Sequence, residues 1–422
     1  MAHNTASNYS EKLLEKFVKS YETKRVVTKS VNTSLFDGQY TSDTGGTVSI
    51  KRPHIAKVSK TSAGDLTAES QSDIIAGKAT GQIQNRYTVW TEWSTYEEAL
   101  ELNQLETILD RFADQLNVDL ETDFCAWMHK WGGLCYGTPG TIADAWEDVA
   151  GAGAFLKELG ASGEMYYVMP PMNAMKLVSA QSGLNASDKL VRTAWEKAQI
   201  SRDFGGMMAI TSNTMSNRTN TVMTDRAGTL SSGPTVTYVG AKDTMTQVLA
   251  LTGLNGGVTV TLKAGEVIEF TGSRYYAHPQ NHQTIFDDTG AAIQWRCVVT
   301  ADTALTNGAG NVTVTSAGIY EATGQYNNMN AALANADTFN VLGTSGAVVK
   351  PNLFFAKDAF GIAFMEIPKL TEQDAGMITK DGIAIRVSRG SNITTDKKLV
   401  RFDMHPIFVP FNPLWGGQAF GK

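Results

Sequence analysis

At 422 residues, with 42% hydrophobic and 18% charged side chains, the chain is long enough for two or three domains with cores of their own and too apolar to be disordered. A net charge of −6 argues against a protein whose main task is gripping nucleic acid, since counterion release needs clustered Lys and Arg. No apolar run suggests a signal peptide or a membrane span, and three cysteines (Cys125, Cys135, Cys297) make no disulfide framework, so a reducing cytoplasm is expected.

Residues 9–24 place Leu13, Leu14, Phe17 and Tyr21 on one side of a short amphipathic helix, which docks either on its own domain or on another chain. Gly45–Pro53 reads as a strand. From His54 to Gln84 follow about thirty residues dominated by Ser, Thr, Ala, Gly, Lys and Asp, whose few apolar residues hold no core. After them Ile83, Tyr87, Val89 and Trp93 keep to odd positions, as along one face of a strand. Strand, polar excursion and strand suggest an extended two-stranded arm completed by another molecule; the alternative is a disordered loop.

Ser94 to Gly133 is the longest periodic stretch. Leu102, Leu105, Leu109, Phe112, Leu116, Leu120, Phe124, Trp127 and Trp131 recur in steps of three and four, the spacing of one helix face. Ser94 with Glu97, and Thr95 with Glu98, fit capping boxes, His129 and Lys130 suit the negative end of the dipole, and Gly132-Gly133 is a stop. Such a helix reaches about 55 Å. Asp144 and Gly160 bracket a second helix, Glu164–Pro171 is a buried strand, residues 173–184 and 187–200 are further helices, and Phe204–Met215 is a strand. This order predicts a mixed α/β domain. From about Thr221 to Gly346 the chain becomes rich in Thr, Val and Gly with turn signals between short strands, the pattern of a small β-barrel or sandwich. Mixed character returns at Lys350, so the two ends of the insertion are expected to meet in space.

This layout resembles the major capsid (coat) proteins of short-tailed enterobacterial phages, which share the tailed-phage and herpesvirus capsid fold. The resemblance is carried by TGGTVSIKRPH (44–54), IAGKATG (75–81), EEALELNQLETIL (97–109), LNASDKLVRTAWEKAQI (184–200), KPNLFFAKDAFG (350–361) and MHPIFVPFNPLWGGQAFG (404–421). It implies an α+β fold with an N-terminal arm (1–44), an extended β-hairpin loop (45–93), a peripheral domain with a spine helix (94–134), an axial domain in two parts (135–223 and 347–395), an inserted β-barrel (224–346) and C-terminal strands returning to the peripheral domain (396–422). It further implies a structural subunit that self-assembles as pentamers and hexamers into an icosahedral shell around double-stranded DNA. Scaffolding protein and a portal would take part, in the bacterial host cytoplasm, before the shell expands. DNA would meet the inner surface without sequence specificity, and no membrane, cofactor or enzymatic activity is implied.

Interface physics points to Phe17, Trp90 and Trp93 as apolar anchors between subunits, and to Lys57, Lys60 and Asp65 as polar contacts of the arm. Arg25, Lys29, Lys51, Arg52, Lys57 and Lys60 form a mildly basic run, read as a solvated arm or as partners for a neighbour's carboxylates, with DNA or scaffold the alternative. Candidate chemistry is thin. His278 and His282 have i, i+4 spacing, but Pro279 forbids a shared helix face for a metal. No phosphate-binding loop or nucleophile elbow occurs, and the cysteines read as buried thiols. The reading from another class is a β-rich glycan-binding or adhesion module on an α/β domain; a cytoplasmic enzyme lacks any constellation to carry a reaction.

Overall fold

The amphipathic N-terminal stretch forms helix α1 (Thr5–Lys24), and Leu13, Leu14, Phe17, Val18 and Tyr21 are all buried. In the computed structural model, which describes residues 5–33, 49–52, 55–69, 71–94, 105–183, 200–322, 324–370, 374–379 and 381–422, this helix docks on its own chain. Phe17 stacks on Phe402 with ring centroids 4.1 Å apart. The chain divides into two units: Met1–Ser49 with Thr80–Phe124 and Gly361–Val409, and Ile50–Ala79 with Cys125–Phe360 and Pro410–Lys422.

The apolar stripe forms α2 (Leu105–Trp131), 27 residues and about 40 Å long, which belongs to the first unit as far as Phe124. Leu116, Leu120 and Phe124 are buried along it, as their spacing predicts. Ser94, the expected first residue of the helix, is instead the last residue of a strand, Tyr87–Ser94, in register with Lys397. The proposed capping residues Thr95, Glu97 and Glu98, and Leu102, lie outside the described residues. Polar residues of α2 hold the chain leaving α1. The buried Glu121 carboxylate accepts from the N–H groups of Val26 (2.7 Å) and Thr28 (3.2 Å), and Asn117 donates to the carbonyl of Lys24. A four-stranded antiparallel sheet completes the unit, in the order Ala375–Ile378, Ala384–Asn392, Lys397–Met404, Tyr87–Ser94. Tyr87, Val89 and Trp93 are half-buried in phase, while Ile83 is exposed in a separate strand, Gln82–Ile83, against Pro406–Pro410. Within this sheet Ile385 through Asn392 pair in register with Lys397–Met404.

The second unit holds a six-stranded mixed sheet ordered Leu134–Tyr136, Gly416–Ala419, Asn352–Ala356, Met165–Met169, Met207–Thr211, Asp203–Phe204. Helix α3 (Trp146–Glu158) packs on it. Ala145, not Asp144, is its N-cap; the Asp148 carboxylate reaches back to the N–H groups of Asp144 and Ala145. Gly160, at φ +80°, ends it in a Schellman motif, with Ala161 N–H on the Leu156 carbonyl. Helix α4 (Pro171–Gly183) follows, and the helix expected over residues 187–200 lies almost wholly outside the described residues. The stop at Gly132-Gly133 has a packing reason beyond helix propensity. A Cβ on Gly132 would sit 2.8 Å from the Cα of Gly417, and one on Gly133 2.6 Å from the Cβ of Ser316.

The insertion is a closed six-stranded barrel, ordered Ala227–Leu230, Thr246–Thr252, Gly310–Thr315, Arg296–Val299, Val267–Phe270, Thr338–Val341, with every pairing antiparallel. Alternation is plain along Thr246–Thr252, where Leu249 and Leu251 are buried and Val248 is exposed. Trp295, Phe270 and Phe339 fill the interior. Its ends do meet: Arg218–Thr219 pairs with Val348–Val349. At this neck the fully buried Glu266 carboxylate accepts from Thr221 N–H (3.1 Å), Thr221 hydroxyl (2.5 Å), Lys263 N–H (2.9 Å) and Arg226 Nη2 (2.7 Å). Arg226 also donates to the carbonyls of Val341 and Leu342, so one ion pair ties the ingoing chain to the outgoing one.

Candidate inter-subunit surfaces

Between the short ladder of Ser49–Lys51 with Lys78–Thr80, residues 55–76 contain no helix or strand among those described. The extended two-stranded arm is therefore paired only at its root, because this stretch offers too few apolar residues to cover a second strand. At the far end Gly64 takes φ +70°, and the Asp65 carboxylate accepts from the Thr67 N–H (3.0 Å) and hydroxyl. The Thr67 hydroxyl, with its N–H, holds the Asp65 carboxyl below the usual range. Val58 is 77% exposed, Leu66 60% and Ile74 80%, so the loop carries large apolar groups on a backbone with no core of its own. Lys60 is exposed; Lys57 is half-buried and its N–H donates to Ser72 Oγ, joining the two legs.

In the sheet of the first unit, Trp90 and Trp93 point to opposite faces. Trp93 shares the half-buried face with Phe402, against which Phe17 is stacked. Trp90 is 63% exposed on the other face, opposite Arg401. Beside it the buried Asp403 carboxylate receives Thr88 Oγ1 (2.7 Å), Arg401 Nε (2.6 Å) and Arg386 Nη2. Burial works to raise the Asp403 carboxyl, but these three hydrogen bonds overcome it and hold the group below its usual range. This ionic cluster escaped the sequence reading, since its members lie up to 315 residues apart. Lys397 and Glu92 form an ion pair nearby, and Ile393, at the turn beyond, is 94% exposed.

Phe17 lies wholly inside the subunit that carries it. Two members of the basic run are also used internally rather than solvated. Arg25 is buried on Thr28 and Asp381, and Arg52 donates to the carbonyls of Asp243, Pro410 and Phe411. Burial pushes the Arg52 guanidinium down to about 10, against the pull of Tyr238 and Asp243. His129 is buried too, and burial, with Arg218 and Lys130 adding to it, pushes its ring down to about 3; it is neutral rather than a cation on the helix dipole. His278 and His282 lie in a tight turn, His282 at φ +59°. All three thiols are buried, and burial raises those of Cys135 and Cys297. Among the described residues no three His, Cys, Asp or Glu gather as a metal site, and no helix is long and apolar enough to cross a membrane.

The family model described as "P22 coat protein - gene protein 5" matches residues 1–421. The chain belongs to the P22 coat protein family. It is 39% identical over 426 residues, spanning all of both sequences, to a major capsid protein of Acyrthosiphon pisum secondary endosymbiont phage 1. Solved structures similar to it include that of Mycobacterium phage Che8 (9% identity, TM-score 0.45, 94% of this chain and 92% of that one) and a virus-like particle from Pyrococcus furiosus (9% identity, TM-score 0.41, 97% and 98%). Membership gives this P22 coat family chain a structural role in a phage capsid, with self-association as its basic activity.

Proposed function

We propose that the chain assembles as pentamers and hexamers into an icosahedral shell enclosing phage double-stranded DNA, through a scaffold-assisted procapsid that forms around a portal in the bacterial cytoplasm and later expands. The observation that carries this reading is the loop over residues 55–76, which presents Val58, Leu66 and Ile74 to solvent on a polar backbone without internal ladder bonds. Apolar groups so exposed are covered only when another surface lies on them, and a second copy of the same subunit is the partner that capsid membership supplies. Trp90 provides an apolar anchor of the type that dominates interface energetics. Lys57, Lys60 and Asp65 contribute registry rather than affinity, since exposed charges are worth little singly.

Hydrogen exchange on the free subunit and on assembled particles tests this. Protection of residues 55–76 should rise on assembly while that of the barrel strands stays constant. Equal protection of the loop in both states refutes the loop as an inter-subunit contact. Electron microscopy of the purified protein with and without scaffold reads out the particles, and material that never forms shells, sheets or tubes refutes the assembly reading as a whole.

A further inference from the structure

The barrel is more than an appendage, because one of its loops is built to hold the extended loop. Gln325 is buried, and the four hydrogen bonds of its side chain all go to the two legs of residues 55–76. Its Nε2 donates to the carbonyls of Ile55 (2.8 Å) and Asp73 (2.6 Å), and its Oε1 accepts from Asp73 N–H (3.1 Å) and Ser72 hydroxyl (3.4 Å). The turn that carries Gln325 is itself braced. Asn327 donates to the Glu321 carbonyl and accepts from the Glu321 N–H, while Asn328 bridges Ile319 N–H and the Ala317 carbonyl. Buried amides bonded through both nitrogen and oxygen make a rigid platform.

A second set of contacts lies at the loop's root. Arg52 N–H donates to the Gly77 carbonyl, Lys78 N–H to Asp243 Oδ1 (2.9 Å), and the Arg52 guanidinium reaches the Asp243 carbonyl. Gly77 lies so close to the barrel that a Cβ there would stand 2.6 Å from the carbonyl oxygen of Lys242. Ile55 and Ile75 pack on the cluster that includes Tyr238 and Tyr326, whose rings stack 3.7 Å apart.

We propose that this face of the barrel, Tyr238–Asp243 with Gln325, is a seat that fixes the direction in which residues 55–76 leave the free subunit. Its occupant is the chain's own loop, and its purpose rests on the reading of that loop as the segment offered to a second copy. Pre-ordering both legs removes conformational entropy that assembly would otherwise lose.

Full-length Gln325→Ala and Gly77→Ala variants test the seat in two independent ways, since the second adds only a methyl group against backbone. In the unassembled protein, exchange of amides 55–58 and 72–76 should rise roughly 5- to 30-fold, with strands Thr246–Thr252 and Gly310–Thr315 unchanged. Unchanged loop exchange in both variants overturns the seat, and so does equal loosening of the barrel strands, which would make these residues part of the barrel's own fold. Shell formation is followed in parallel by sedimentation. A loosened loop with slowed assembly supports both readings; a loosened loop with assembly at the wild-type rate keeps the seat and removes the loop's inter-subunit role.

Discussion

Replacing Glu266 by Gln isolates the neck of the insertion with almost no change in shape. The carboxylate is fully buried and takes four donors, two on each oxygen. The amide of Gln keeps one oxygen for Thr221 N–H and Arg226 but turns an NH₂ group toward Lys263 N–H, a donor facing a donor. That N–H keeps only its longer bond, to the Thr221 hydroxyl (3.1 Å), so the loss there lies toward the low end of about 1–3 kcal/mol. Arg226, only 13% exposed, also loses its counter-charge, which brings the expected total to about 3–5 kcal/mol. Urea titration of the unassembled subunit by circular dichroism measures the loss, and hydrogen exchange should place it at Arg218–Thr219 and Val348–Val349. Adding Arg226→Met should cost less than the sum of the single changes, with a coupling of about 1.5–3 kcal/mol. A loss under about 1 kcal/mol, the value of an exposed pair, refutes the argument that this ion pair holds the neck.

Phe17→Ala should destabilise the free subunit by about 3–5 kcal/mol in the same titration, because the ring is fully buried on Phe402; an unchanged midpoint would mean that the ring acts only between subunits. Trp90→Ala should cost the free subunit under about 1 kcal/mol yet reduce shell yield by sedimentation, and normal shells would remove that face from the interface. His129 has its ring pushed from 6.5 to about 3, so its neutral form is favoured by folding. Its contribution is complete above pH 6.5 and declines as pH falls toward 3, by about 1.4 kcal/mol per unit, since the unfolded state binds the proton first. Between neutral and about pH 4.5 the wild type should therefore lose more stability than His129→Gln, and equal slopes would contradict the assignment.

Local pattern in the sequence carried much of this fold. The stripe Leu116, Leu120, Phe124 gives α2, the alternation Tyr87, Val89, Trp93 gives the phase of its strand, and the Thr/Val/Gly texture gives the barrel. Partners were hidden wherever they are distant in the chain. Phe17 reads as an amphipathic helix residue, but nothing in its neighbourhood names Phe402, and so its place inside the subunit was not foreseen. Glu266 sits in a Lys-Ala-Gly-Glu stretch that reads as an ordinary surface turn, although folding buries its carboxylate completely. Arg52 looked like one charge in a basic run because spacing cannot show that three carbonyls converge on it. Gln325 gave no signal at all, since a lone Gln between Gly324 and Tyr326 has no periodicity to betray its burial.

Thr219 and Val348 are paired neighbours on adjacent strands, so their Cα atoms lie about 4.5–5.5 Å apart. A gap of that width can be closed by a two-residue turn. The polypeptide can thus treat residues 220–347 as a cassette, and a foreign module whose own termini are equally close has a graft point there, provided it also replaces what the present cargo offers: the seat, and contacts such as Arg296 Nη1 on the carbonyls of Cys135 and Gly137.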